Sequence, residues 1–344
     1  MITQAEIVAS PAAPDIFNLP AQPRGLADYP LRARDLIAFG QSPCRWVKTP
    51  PSELPTRVEL LHLVRSLHLS PATAAPKYAR RPETYEAMRL TCPKCKSAGP
   101  AKVCTKCGQT RRNVVETRPW SSAAKHCLDW VHQAEKQGLR VVPTGDWDAA
   151  AHIVEMLMDD ANIAELREQS DPLVAIQGIW TDTETGVKIP VRSLVDYAPR
   201  PGGTLDNTLA SLTLTRDASP NRWAGVAYAL GHHIHAALLH ALYAAATGEP
   251  RPVHLWAIAE RDQPHLTARR RGSAELMLAG NQTLERLLNA YAKCLRADVW
   301  PSFDLIGQGS LSAWSEVFLE PWMTESDGRA QSFFAVSAAA AANP

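Results

Sequence analysis

The chain has 344 residues, and its 36 Lys and Arg against 35 Asp and Glu give a formal net charge of +1 at pH 7. This length suffices for one large core or two modest ones, and the balanced charge excludes a uniformly basic protein while leaving room for a local basic groove. The sequence has neither a bilayer-length apolar run nor a charged-then-apolar N-terminus. These absences favour a soluble, cytoplasmic protein over a membrane-bound or secreted one.

Apolar periodicity predicts helices in the first half of the chain. Residues 1–25 are rich in Ala and Pro and are expected to form a disordered leader. A short helix that Gly40 and Pro43 end, and a second helix that ends before Pro71, begin the ordered part. The predicted helices of this half are 31–46, 57–71, 121–138 and 144–169.

In the middle of the chain, the period of the apolar residues changes to that of a strand. The predicted strands are 172–180, 187–198, 209–215 and 253–260, with a hairpin at 184–186. Helices over 221–247 and 272–297 are predicted to cover the resulting sheet. This order of elements predicts an α+β or mixed α/β fold with one central sheet flanked by helices.

The predicted domain extends over 26–323. Its last part, 300–323, is irregular and rich in aromatic residues, and the tail 324–344 is Ala-rich and expected to be flexible.

Four cysteines form two C-x-x-C pairs, Cys92 with Cys95 and Cys104 with Cys107, in an insertion over 88–112. Two such turns place four thiolates where tetrahedral Zn²⁺ needs them, and four thiolates leave no open position, so the predicted zinc is structural. Unmetallated surface cysteines and a redox pair are the alternatives. Lysines and arginines surround the pairs; they could contact phosphate, although a solvated face is the commoner explanation.

A strand with the sequence LASLTLT (209–215) stands between VRSLVDYAP (191–199) and the helical stretch YALGHHIHAALLHALYAAATGE (228–249). This succession resembles the PD-(D/E)XK nucleases of the phage exonuclease VIII (RecE-type) group. The resemblance covers about 26–323 and implies a restriction-endonuclease-like central sheet. It also implies that Asp196 is the first carboxylate of the nuclease site.

In that group the second strand carries an acid and a lysine two residues apart, and Ser211 and Thr213 hold those places here. The following helix keeps His233 of the family pattern and has His235 where the family has Gln. By the same register, Arg65 stands where the upstream helix of the family carries a His or an acidic residue.

The resemblance implies a metal-dependent exonuclease whose key catalytic residues are lost. One carboxylate binds Mg²⁺ poorly, so a bound Mg²⁺ or Mn²⁺ is doubtful, and an impaired or inactive nuclease is predicted. A rearranged metal site of Asp196, His232 and His235 is an alternative that would keep activity. For His233, a core histidine is the commoner explanation.

Three functions therefore remain open from the sequence. The first is an active exonuclease acting on DNA in phage recombination, beside a partner recombinase. The second is a catalytically silent DNA-binding or accessory protein, and the third is a zinc-bearing interaction protein without a DNA role. The altered strand favours the second. A basic stripe near Asp196, to which Arg269, Arg270 and Arg271 could contribute, would separate the second from the third, and the sequence does not determine the oligomeric state.

Overall fold

The computed structural model describes residues 2–8, 25–49, 56–74 and 77–301. The chain divides into two compact units, Met1–Trp300 and Pro301–Pro344, and the described residues belong to the first, apart from Pro301. From residue 302 onward, the predicted aromatic-rich segment and the predicted tail lie outside the described residues.

The helices and strands of the described residues are numbered in chain order. The strands are β1 (Ile2–Val8), β2 (Tyr78–Arg80), β3 (Thr84–Thr91), β4 (Arg112–Pro119), β5 (Arg140–Val142), β6 (Ser170–Thr181), β7 (Lys188–Pro199), β8 (Thr208–Thr215), β9 (Val253–Glu260) and β10 (Thr267–Arg271). The helices are α1 (Ala33–Gln41), α2 (Pro43–Lys48), α3 (Thr56–Leu69), α4 (Pro71–Ala74), α5 (Lys125–Lys136), α6 (Thr144–Asp159), α7 (Ala161–Glu168), α8 (Pro220–Ala229), α9 (His232–Thr247) and α10 (Ala274–Ala297).

The central sheet has the strand order β1-β6-β7-β8-β9-β10. Every neighbouring pair is antiparallel except β8 and β9, which run parallel. Helices α8 and α9 make the crossover that a parallel pair requires. The predicted fold class, a mixed sheet flanked by helices, is confirmed, and the four predicted strands are all present.

Each face of the sheet has its own core. One face packs on α1, α9 and α10, and contributes Val191, Val195 and Leu209. The other packs on α3, α6 and α7, and contributes Leu212 and Leu214. Strand β8 is buried along its whole length, because it lies inside the sheet and both of its faces are covered.

The prediction of a disordered leader over 1–25 is wrong for its first residues. Ile2–Val8 forms the edge strand β1, antiparallel to β6, and Ile2 and Ala5 pack against the core. The composition of the following Ala- and Pro-rich residues masked this strand, whose own burial is only partial. Residues 9–24 lie outside the described part of the chain.

Three of the helices predicted from the sequence are each divided into two shorter helices in the structure. Gly40 lies inside α1, and Ser42 separates it from α2 by accepting a hydrogen bond from the Arg45 N–H. Asp160 ends α6 and caps α7 with its carboxylate. Gly231 separates α8 from α9 with a φ of 70°, where a Cβ would collide with Ile37. Two capping side chains and one residue with left-handed backbone end these helices. Apolar periodicity does not reveal such features.

The cysteine insertion is a separate β-hairpin. Strands β3 and β4 pair antiparallel from Thr84–Pro119 to Thr91–Arg112, so the hairpin extends beyond the predicted 88–112. At its end, the Lys96 N–H donates to Cys92 O at 3.0 Å and the Gly108 N–H donates to Cys104 O at 2.8 Å. These two tight turns bring the cysteine pairs together.

Candidate functional site

Strands β7 and β8 separate next to Asp196. The two strands pair at Tyr197 and Ala210, whereas the first half of β7 lies beside a different segment, with Leu31 bridged to Val191. Because β7 changes its neighbour from the Leu31 segment to β8, a gap opens in the sheet at Asp196. The side chain of Asp196 lies in this gap, with 0% of its surface exposed.

A single arginine fills the gap between the strands. Arg65 of α3 donates from Nη2 to Asp196 Oδ2 at 3.0 Å and to the Leu212 carbonyl oxygen at 3.1 Å. Its Nε lies 2.9 Å from Asp196 Oδ1, an ion-pair distance without hydrogen-bond geometry. The Leu212 N–H donates to Asp196 Oδ2 at 2.7 Å. The carboxylate and the guanidinium therefore replace part of the ladder between β7 and β8.

Two opposing influences act on the Asp196 carboxyl. Burial raises its pKa from the ordinary value, while the Arg65 charge and the Leu212 N–H act in the opposite direction. Because Oδ2 accepts two hydrogen bonds and Oδ1 lies at ion-pair distance from the Arg65 guanidinium, the contacts fit the ionised carboxylate. The predicted site carboxylate is thus buried in an ion pair with Arg65.

The two residues at the acid and lysine places lie on the other side of β8. Alternation puts Ser211 and Thr213 on the face of Leu209, which packs toward α9. They are 4% and 6% exposed, and the Ser211 hydroxyl has no hydrogen-bond partner. Among the described residues, no hydrogen bond joins either hydroxyl to Asp196. The structure keeps the predicted alternation but does not bring this pair to the carboxylate.

The two candidate histidines of α9 have different surroundings. His235 Nε2 lies 3.4 Å from Ser193 Oγ on β7, and burial, followed by the charge of Arg65, lowers the pKa of His235 to about 3. His233 instead stacks on Tyr228, with ring centroids 4.8 Å apart, and is 3% exposed. His235 therefore lies near the Asp196 gap, whereas His233 is packed as a core histidine.

A histidine pair between α9 and β9 is not predicted by the sequence, and only its β9 member is fully buried. His240 Nε2 lies 3.1 Å from His254 Nδ1, and the other ring nitrogen of His240 contacts the Arg251 carbonyl oxygen. His254, on β9, has 0% exposure. Its position in the strand VHLWAIAE, where an apolar residue is expected, was the available signal.

A polar residue before α8, and the arginine run of β10, serve local structure. Asp217 accepts a hydrogen bond from the Ser219 N–H at 2.9 Å, as a turn residue before α8. Arg269 lies on β10 and is 3.3 Å from Asp160, and Arg270 donates to the Ala218 carbonyl oxygen at 2.7 Å. The arginine run is therefore part of the edge strand β10.

Arginines from several elements gather on the α3 side of the gap. The pKa of His62 is lowered to about 3 by burial and then by the charges of four arginines, which are Arg65, Arg140, Arg34 and Arg32. Of these four arginines, only Arg65 also acts on the Asp196 carboxyl, and Arg32 is paired with Asp35. The cluster is therefore a local positive patch around His62 that the net charge of the chain does not reveal.

The four cysteines form a compact sulfur cluster. Cys92 Sγ lies 3.3 Å from Cys107 Sγ, and Cys95 Sγ lies 3.4 Å from Cys104 Sγ and 3.8 Å from Cys107 Sγ. A tetrahedral metal with sulfur ligands at about 2.3 Å needs S–S separations of about 3.8 Å. The four thiolates fit a metal ion such as zinc.

In the ranges that the structure describes, these cysteines are the only group of three or more His, Cys, Asp or Glu side chains arranged to hold a metal ion. The alternative site of Asp196 with histidines is not such a group. No helix in the same ranges has the length and apolar character that crossing a membrane would require.

No protein-family model matches the chain, and no curated protein matches it. Among solved structures, a protein of Eubacterium rectale provisionally named an exonuclease is 11% identical, covers 87% of this chain and 93% of its own, and gives a TM-score of 0.49. A second structure is Rai1 of Scheffersomyces stipitis, in complex with (3'-NADP)+ and calcium ion. It is 11% identical, covers 69% of this chain and 59% of its own, and gives a TM-score of 0.26. Rai1 of Candida albicans, in complex with pU5-Mn2+, gives a TM-score of 0.24 at 11% identity, over 70% of this chain and 60% of its own. Similarities this weak carry no argument about fold or activity.

Proposed function

We propose that this chain is a catalytically silent member of the PD-(D/E)XK nucleases, of the exonuclease VIII type, that binds DNA. The observation that carries the proposal is the position of Arg65. Its Nη2 lies within 3.1 Å of both a carboxylate oxygen of Asp196 and the carbonyl oxygen of Leu212. Carboxylate and carbonyl oxygens are the ligands that hard divalent cations take in proteins.

A guanidinium in this place excludes a divalent cation in two ways. It occupies the space between the two oxygens, and its charge repels a second cation. The residues that could supply further charge, Ser211 and Thr213, are neutral and face away from Asp196. Without a metal, the chain lacks the means to activate water and to stabilise the charge that develops on a phosphoryl group.

The order of elements supports the nuclease ancestry. Helix α3 precedes the antiparallel strands β6, β7 and β8, and helix α9 leads to the parallel strand β9. The resemblance seen in the sequence requires an upstream helix, a carboxylate strand, an acid-x-lysine strand and a following helix in this order. The arginines around His62 on α3 would supply positive charge for a DNA backbone.

We also propose that the cysteine cluster binds one structural zinc ion. Cys92 and Cys104 are buried, with exposures of 0% and 1%, so the cluster is the interior of an otherwise small hairpin. When bound, the ion would hold the two turns together through four thiolates. The hairpin carries exposed lysines and is a second surface for contact with DNA or with a partner such as a recombinase.

The proposal is tested by incubating the purified protein with linear duplex DNA in Mg²⁺ and in Mn²⁺, and by measuring binding of the same DNA by fluorescence anisotropy. We expect no cleavage above background, because loss of metal assistance costs about 10³-fold or more in rate. We expect binding that weakens steeply as salt rises.

The Asp196→Asn variant, purified in parallel and verified as folded, is the control for contaminating nucleases. Cleavage by the wild-type protein that Asp196→Asn abolishes would contradict catalytic silence. Absence of any salt-sensitive binding by the wild-type protein would contradict the DNA-binding half of the proposal.

A further inference from the structure

Arg192 lies on β7, four residues before Asp196, and has an unusual strand neighbour. Its N–H donates to the Leu31 carbonyl oxygen at 2.9 Å, next to the parallel bridge between Leu31 and Val191. Leu31 and Val191 both point into the core under α9 and α10. Alternation therefore directs Arg192 and Arg32 to the opposite side, which is the side of Asp196.

These two arginines differ in their partners. Arg32 is neutralised by Asp35, with 2.8 Å between its Nε and the Asp35 Oδ2. Among the described residues, Arg192 has no carboxylate at ion-pair distance, although the charge of Asp35 acts on it from farther away and raises its pKa. Its Nε and Nη2 are buried without a hydrogen-bond partner. Buried donors of a charged group are costly when they are left unpaired.

Arg192 nevertheless keeps its charge. Burial, followed by the nearby charge of Arg32, lowers the pKa of Arg192 to about 10, which leaves the guanidinium protonated at pH 7. The side chain as a whole is only half-buried. No hydrogen bond among the described residues holds Nε and Nη2 in place, and the half-buried side chain is within reach of solvent.

We propose that Arg192 binds a phosphate group of a DNA strand that crosses the Asp196 gap. Two free N–H donors in one plane match two oxygens of a phosphodiester, and a dispersed positive surrounding favours an anion over a neutral ligand. Arg192 and Asp196 are four residues apart on one strand, about 13 Å. The inference rests on the proposed DNA binding and assigns the first contact to it.

The test compares DNA binding by wild type, Arg192→Gln and a matched control, Arg296→Gln, by fluorescence anisotropy over a series of salt concentrations. Arg296 is exposed in the last turn of α10, so its substitution makes the same charge change elsewhere. We expect Arg192→Gln to weaken binding roughly tenfold and to reduce the salt slope by about one phosphate contact. Arg296→Gln should leave both unchanged.

Thermal unfolding separates a binding role from a structural one. Without ligand, Arg192→Gln should keep or raise the melting temperature, because it removes an unpaired buried cation. Inorganic phosphate should stabilise the wild-type protein more than this variant. A melting temperature several degrees lower for Arg192→Gln would overturn the inference, since it would mean that Arg192 is a structural residue.

The outcomes also separate this inference from the proposed function. If the wild type and Arg192→Gln bind DNA with the same affinity and salt slope, the inference fails and DNA binding stands. If the wild-type protein itself does not bind DNA, the proposed function fails, and this inference with it.

Discussion

At the scale of single residues, the side chains of Arg65 and Asp196 replace part of the backbone hydrogen bonding between β7 and β8. The carboxylate accepts the Leu212 N–H and the guanidinium donates to the Leu212 carbonyl, so the two side chains satisfy both backbone groups of Leu212 at the fork. Asp196 is fully buried and the Arg65 side chain is 16% exposed. Loss of one partner leaves the other charge uncompensated in a low-dielectric gap.

This contact predicts a strong coupling in stability. Asp196→Asn or Arg65→Met alone should lower the free energy of unfolding by about 3–5 kcal/mol. The double variant should lose clearly less than the sum, because it leaves no unpaired charge and Asn still accepts the Leu212 N–H. Urea unfolding of the four proteins measures the coupling. Strictly additive losses would show that the two residues do not interact.

At the scale of elements, the hairpin of β3 and β4 depends on its cysteines more than on an apolar core. Met88 and Val115 face each other across the two strands and are 77% and 58% exposed. A hairpin with so little buried apolar surface is marginal by itself. The bound metal is therefore expected to supply most of its stability.

Metal removal should consequently affect the hairpin and spare the central sheet. The purified protein should contain about one zinc ion per chain. Chelation, or Cys104→Ser, should abolish the protection of β3 and β4 amides from hydrogen exchange while β7 and β8 stay protected. Cys44→Ser, which alters a cysteine outside the cluster, is the matched control and should keep the metal. Carefully handled protein without metal would refute the zinc assignment.

At the scale of the whole molecule, the near-zero net charge does not show that several titratable side chains are buried away from water. Histidines are buried in both cores, and burial is the foremost cause that lowers their pKa values. The pKa falls to about 4 for His68 and His240, and to about 3 for His62 and His235. These side chains are neutral in the folded protein throughout the neutral range.

Stability should therefore fall as the pH falls below about 6.5, the ordinary pKa of histidine in an unfolded chain. Below that value the unfolded chain binds protons that the folded protein does not, and stability is lost until the folded pKa is reached. At pH 5 the loss is about 2 kcal/mol for each such histidine.

Urea unfolding at pH 7.5 and pH 5 measures this loss. His68→Gln should reduce the pH dependence, whereas the exposed His132→Gln should not. Equal stability at the two pH values would contradict neutral burial of these histidines.

Features that depend on local periodicity and spacing could be predicted from the amino-acid sequence. Alternation located β6, β7, β8 and β9, because a strand with covered faces shows its pattern over a few residues. The two C-x-x-C pairs determined the sulfur cluster, because their turns are local. Edge strand β1 was missed, since an edge strand buries little and leaves a weak pattern.

The partner of Asp196 could not be predicted from the sequence, because it depends on how distant elements pack. Alternation tells which side chains share a face, but not which element covers that face, so it could not show that Ser211 and Thr213 turn toward α9. Arg65 and Asp196 are 131 residues apart, and no local signal pairs them. The fold determines whether a buried carboxylate meets a cation from solution or a guanidinium of its own chain, because that depends on how helix α3 packs against the fork of β7 and β8.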